Sequence, residues 1–303
     1  MSVLVSSVVM IGMFWVVPTG LALLDGPGAW PADQDRVRRP GPRPPGWDAL
    51  RRAWPLLAVP GALALWLPRS GVSTALAGVY ALATLALALQ APARLMLTRS
   101  LRPSEIAVLT ALVAPSVAGL AFVAERASYP LFGFDLDLLA LTVPHFHFAG
   151  FAAALVAGLV SRTSDGPGAR FAALSVPAGT LLVLLGYFVD DWAELAGAVV
   201  LTAGMAAVSV LTLRERRELA ADPLTRGLLA VSALVLVATM LLALSWALGE
   251  ATGLPHLSLT WMAATHGLGN ALGFAVCALL ARRRLATDRT TSPVLLPRTE
   301  LPA

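Results

Sequence analysis

Apolar runs of about twenty residues follow one another down the chain, separated by short polar connections. They fall near 2–24, 53–68, 72–93, 104–124, 138–160, 171–189, 192–213, 228–248 and 257–281. Roughly 20 apolar residues rise far enough as an α-helix to cross hydrocarbon, so the pattern predicts nine spanning helices. The second run is short, carries Pro55 and Pro60, and is the weakest of the nine. The runs are continuous in Ala, Leu and Val rather than alternating, which argues against barrel strands. A helical bundle follows, because lipid offers the backbone no hydrogen-bond partners. The expected fold is therefore an all-α polytopic transmembrane bundle. A single domain covers 1–285, with a basic, proline-rich cytoplasmic loop at 25–52 and a disordered cytoplasmic tail at 286–303. Residues 2–24 have no basic residue before them and no small-residue cleavage pattern after them, so they read as a retained first helix rather than a signal peptide.

Composition agrees. Of 303 residues, 57% are hydrophobic and only 13% charged, and mean hydropathy is +0.74. A water-facing domain carries about a quarter charged residues. The cations are all arginine and sit in the odd connections and the tail: Arg36, Arg38, Arg39, Arg43, Arg51 and Arg52; Arg94, Arg99 and Arg102; Arg162 and Arg170; Arg214, Arg216, Arg217 and Arg226; Arg282 to Arg284. The even connections hold only Arg69 and Arg126. The positive-inside rule then places the N-terminus outside and the C-terminus in the cytoplasm. The net charge of +4 thus reports topology, and no basic aromatic patch points to nucleic acid. The single cysteine, Cys277, excludes an intrachain disulfide and a cysteine metal cluster.

With that orientation, Glu125, Asp190, Asp191, Glu194 and Glu250 gather at the outer end. His145 and His147 lie inside the fifth helix, and His266 and Asn270 inside the ninth, with His145 and His266 roughly 10–14 Å deep. Ionisable residues inside a membrane are costly and often functional, so a pocket opening outward is the natural hypothesis. Two residues apart, His145 and His147 project about 200° from one another on a regular helix and do not readily share a ligand. The plain alternative for either is a hydrogen-bonding or packing group, and for His266 and Asn270, on one face at i and i+4, a helix–helix clasp. Asp190-Asp191-Trp192-Ala193-Glu194 has a magnesium–diphosphate look, but Asp191 and Glu194 also stand at capping-box spacing, which is the stronger reading. Glu125 and Glu250 sit just past helix C-terminal ends, where an anion gains nothing from the dipole, and pairing with Arg126 or another arginine is the plain alternative. Gly150, Ala154 and Gly158 form a small-residue stripe suited to close packing. Gly-Phe-Ala recurs at 150–152 and 273–275, a faint internal echo.

The run Pro144-His-Phe-His-Phe-Ala-Gly-Phe151, followed late by Thr265-His266-Gly267 and Asn270-Ala-Leu-Gly-Phe274, resembles the YndJ-like family of bacterial membrane proteins. The resemblance is concentrated in the fifth and ninth helices. It implies a bacterial plasma-membrane location, makes His145, His147, His266 and Asn270 the polar positions of interest, and brings no defined substrate.

The favoured functional expectation is a membrane-embedded acid/base enzyme, of isomerase or cyclase type, acting on a lipophilic, isoprenoid-like substrate. His145, His147, His266, Asn270, Glu125, Glu250, Asp190, Asp191 and Glu194 are its candidate catalytic set. The alternative is a proton- or ion-coupled transporter of a solute, with prolines 55, 60, 144 and 177 as bending points. Haem or zinc on the histidines is a third reading that no H-E-x-x-H or CxxCH supports, and no cofactor or metal is expected. The expected partners are the lipid bilayer and a lipophilic substrate or solute.

Overall fold

The computed structural model describes residues 1–25, 43–164, 166–220 and 222–291. The central part of the expected basic loop and the end of the expected tail lie outside the described residues. Nine long helices run through the remainder: α1 Val3–Leu23, α2 Trp47–Trp66, α3 Gly71–Thr98, α4 Pro103–Arg126, α5 Leu136–Val160, α6 Pro167–Gly186, α7 Asp191–Glu218, α8 Pro223–Thr252 and α9 Leu259–Thr287, whose last turns continue to Thr291. All except α2 are long and apolar enough to cross a membrane. Asp48, Arg51 and Arg52 occupy the first turns of α2, which begins six residues before the expected run and is correspondingly less apolar. Among the described residues there is no strand.

Helix ends follow local chemistry. Ser70 and Ser73 form a reciprocal capping box at α3. Asp135, Asp190 and Asp222 cap α5, α7 and α8 by accepting from Leu138, Ala193 and Thr225 amides. At α7 the cap is Asp190, not the Asp191 expected from spacing. Asp191 is the first helical residue and is exposed. Prolines 55, 60, 115, 144 and 177 lie inside helices, a placement that neighbouring helices and local π adjustments make tolerable in lipid.

The helix α5 is the most buried of the membrane-length helices and forms the axis of the bundle. It packs on α4, α1 and α9, while α6, α7 and α8 pack in sequence beside it. The small-residue stripe on α5 lies against α4: a Cβ on Gly158 would meet the Ser104 carbonyl oxygen at 2.9 Å. Only glycine admits that approach.

Charges segregate to the two ends of the bundle. At the end formed by the basic connections, Arg51 pairs with Asp25 (2.6 Å) and Arg282 with Glu215 (2.7 Å), while Arg94 and Arg162 both bind Glu105 (2.9 and 2.5 Å). At the opposite end, Arg69 and Arg126 hold Glu125, and His256 pairs with Glu250 (3.0 Å).

Candidate functional site

Between the helices, toward the end holding Glu125, Glu194 and Glu250, lies an open cavity of about 310 Å³. That volume falls within the range of small-molecule sites. The parts of α1, α4, α5, α6, α7, α8 and α9 toward that end and the short 3-10 turn Leu131–Gly133 form its wall. The wall is mostly leucine, valine, alanine and aromatic rings. Its few polar members include Thr142, His145, Thr180, Tyr187, Glu194, His266 and Asn270.

The two histidines expected at similar depth do face one cavity. His145 stands nine residues into α5 and His266 seven residues into α9, about 14 and 10 Å from the N-terminal ends of these helices. They lie within electrostatic reach of each other. Their bonding differs sharply. His266 is fully engaged: Nδ1–H donates to the Thr239 carbonyl (2.8 Å), and Nε2 accepts from the Asn270 amide (3.1 Å). Asn270 Oδ1 in turn accepts from the Thr239 hydroxyl (2.7 Å), closing a ring of polar groups between α8 and α9. His145, exposed to the cavity, makes no hydrogen bond from either ring nitrogen to any described residue. Its ring rests edge-on against Phe146, with centroids 5.7 Å apart.

His147 points elsewhere. It is wholly buried, with Nδ1–H donating to the Val143 carbonyl (2.7 Å) and Nε2 accepting from the Tyr80 hydroxyl (2.6 Å). Its ring stacks on Tyr80 and lies over Gly12 of α1, where an added Cβ would meet the His147 Cβ at 2.9 Å. The divergence of His145 and His147 places one imidazole in the cavity and the other in a packed clasp joining α5, α3 and α1.

The acids separate likewise. Glu125 is fully buried in the last turn of α4, not beyond its end, and is held by Arg126 and by Arg69, whose Nη2 lies 2.9 Å away. Arg126 also donates to the carbonyls of Ala64 and Leu67, tying α4 to the end of α2. Glu250 lies in the last turns of α8 and pairs with His256, which packs edge-on against Trp246. Asp190 caps α7. Glu194 alone among the candidate acids lines the cavity, as does Tyr187. Of the tryptophans, Trp246 lines the cavity, whereas Trp192 and Trp261 are exposed.

Three of the helices around the cavity, α1, α5 and α9, each loosen into π-helix, at Gly12–Val16, Phe146–Ala152, and Ala263–Gly267 with Gly269–Val276, and the stretches in α5 and α9 contribute to its wall. These stretches touch one another. Both Gly-Phe-Ala motifs fall within them. Pro144, which removes a backbone donor, precedes the stretch in α5, and glycines punctuate those in α9. π-Helical turns are rare and occur disproportionately at functional sites.

A family model described as "YndJ-like protein" matches residues 7–274. The chain belongs to the YndJ-like family. The matched region runs from within α1 to the π-helical part of α9 and so contains every cavity-lining residue named above. Curated proteins and solved structures yield no significant match. Among the described residues no group of three or more His, Cys, Asp or Glu is placed to hold a metal ion. Both nitrogens of His266 are already committed, so haem ligation by the two cavity histidines would require dismantling the Thr239–Asn270 ring.

Several participants carried no local sequence signal. Tyr80 and Thr239 lie 67 and 31 residues from the side chains they bond, on helices otherwise read as uniform apolar runs. Tyr187, Phe134 and Phe188 become cavity residues only through the packing of α5, α6 and the 131–133 turn.

Proposed function

We propose that this YndJ-like protein is a multi-pass protein of the bacterial plasma membrane that binds a lipophilic small molecule in the α5–α9 cavity and acts on it by acid/base chemistry at His145. The observation that carries this reading is the His145 imidazole, turned into an apolar cavity with both nitrogens unengaged. A neutral imidazole offers one donor and one acceptor. It can take a proton from one atom of a bound molecule and return one to another, which moves a double bond or closes a ring and leaves the imidazole as it began. A mostly apolar wall suits an isoprenoid-like body, and the limited polar complement orients it. His266 and Asn270 shape the wall beside His145, while Glu125, Glu250, Asp190, Asp191 and His147 act through structure rather than contact. Coupled transport draws less support, because Glu105 and Glu215 toward the other face are already paired with arginines.

Proton exchange provides the test. Purified protein in nanodiscs is incubated in D2O with a total lipid extract of bacterial membranes, and lipids are scanned by mass spectrometry for carbon-bound deuterium. The expectation is enrichment in one lipid class with wild type and at least a hundredfold loss with His145→Gln, the scale of a general acid/base group. Undiminished exchange in His145→Gln, or none in wild type, overturns the assignment. Proton flux in sealed proteoliposomes without deuterium incorporation would favour the transporter.

A further inference from the structure

The cavity has two polar zones, and only the deeper one is used above. Glu194 lies three residues into α7, about 5 Å from the start of that helix, whereas His145 stands about 14 Å into α5. Only 7% of Glu194 is exposed, yet it lines the cavity. No arginine or histidine forms an ion pair with it among the described residues, whereas Glu105, Glu125, Glu215 and Glu250 all have such partners. Asp191 and Glu250 add negative charge nearby, and Tyr187 is the neighbouring neutral hydroxyl. No arginine lines the cavity among the described residues.

Around this carboxylate the wall is aromatic. Phe134 and Phe188 meet at 5.2 Å between centroids, Phe132 and Phe188 at 5.5 Å, and Phe134 and Tyr187 at 6.3 Å, all nearly edge-to-face, and Trp246 joins the same wall. Ring faces attract cations, and a buried carboxylate without a counter-charge gains most from one. A phosphate head would meet acids and ring faces with no guanidinium to receive it, which runs against the usual arginine chemistry of phosphate recognition.

We infer that the outer zone, built on Glu194, Tyr187, Phe134, Phe188 and Trp246, selects a ligand with a positively charged nitrogen head, whose apolar body extends inward toward His145. This deepens the proposed function and rests on its premise that the cavity holds a lipophilic molecule. It also gives the ligand a direction, with the charged head near the interface and the reacting carbons deep.

Three diazirine probes with the same twelve-carbon chain test the inference on the full chain in nanodiscs. One ends in trimethylammonium, the second in its neutral tert-butyl isostere and the third in phosphate. Cross-links are mapped to cavity peptides, and apparent affinities come from competition with the unlabelled compounds. The ammonium probe should bind at least about tenfold more tightly than either other probe, and Glu194→Gln should collapse the ammonium-to-tert-butyl ratio toward one. Because the isostere comparison is made on wild type, it holds even if Glu194→Gln fails to fold. Equal cross-linking of ammonium and tert-butyl probes in the cavity, or a preference for phosphate, overturns the cationic ligand while leaving a lipophilic site. A ratio unchanged in folded Glu194→Gln overturns the role of Glu194. Absence of any cavity cross-link overturns both this inference and the reading on which it rests.

Discussion

Two imidazoles separated by one phenylalanine have opposite surroundings. His147 uses both nitrogens in a wholly buried clasp, so its loss is a matter of stability. Tyr80→Phe removes the donor to His147 Nε2 and leaves a buried acceptor unsatisfied, a cost of about 1–3 kcal/mol. Gly12→Ala drives a methyl against the His147 Cβ and should cost a similar ~1–3 kcal/mol through overpacking. Thermal unfolding in a mild detergent should show both losses, with cross-linking of cavity probes retained in the protein that remains folded. If either variant melts with wild type, the clasp contributes nothing. The sequence made the divergence of His145 and His147 readable, because two residues of helix is about 200°. It could not say which would be engaged, since Tyr80 is 67 residues away on a helix whose pattern is uniformly apolar.

At the scale of helices, the ends were far more legible than the middles. Caps and connections obey local chemistry, so Asp190 at the start of α7 was misplaced by a single residue, and α2 was found but entered late because its first turns are charged. The π-helical stretches at 12–16, 146–152 and 263–276 left only faint traces in Pro144 and the glycines, because a change of helical pitch depends on what packs beside it. Ion pairs between elements were partly readable: Arg126 beside Glu125 is a matter of sequence, but Arg69 is brought there by the α2–α3 turn. The Arg94–Glu105–Arg162 group ties α3, α4 and the start of the α5–α6 connection at one point, with Glu105 almost fully buried. Glu105→Gln strips the shared anion and leaves two guanidinium groups together, so we expect a loss of about 3–5 kcal/mol, read as a large fall in melting temperature. An unchanged melting temperature would refute that linkage. Asp222, capping α8, offers a milder and pH-dependent case. Its hydrogen bonds with Thr225, then the nearby Arg284, lower its carboxyl from 3.8 to about 2. A lowered folded-state value means the stabilisation exists above 3.8 and disappears as pH falls through about 2. Asn caps helices nearly as well as Asp, so Asp222→Asn isolates the charge. Its melting temperature should lie below wild type at neutral pH, and the gap should close between pH 4 and pH 2. A gap constant over that window would assign the effect to the cap alone.

For the molecule as a whole, the decisive sequence signal was the distribution of arginine rather than any motif. The alternation of rich and poor connections sorts the charged residues to one end or the other, and the described ion pairs respect that sorting: each joins groups from the same end of the bundle. What the pattern could not convey is that seven helices leave a cavity at the arginine-poor end, because a cavity is a property of how helices fail to meet. Orientation determines what that cavity samples. Positive-inside counting places the Arg94–Arg102 connection in the cytoplasm and the 127–135 connection outside. Replacing Cys277 with Ala removes the only native thiol, and single exposed positions then report each face: Leu101→Cys in the first connection and Tyr129→Cys in the second. A membrane-impermeant maleimide applied to intact cells should label the Tyr129→Cys protein, and the Leu101→Cys protein only after permeabilisation. The reverse pattern would turn the cavity mouth, Glu194 and the aromatic wall toward the cytoplasm. In that case the ligand would be met from the inner leaflet, and the arginine-rich end, with its closed set of ion pairs, would face the outside against the charge bias that governs insertion.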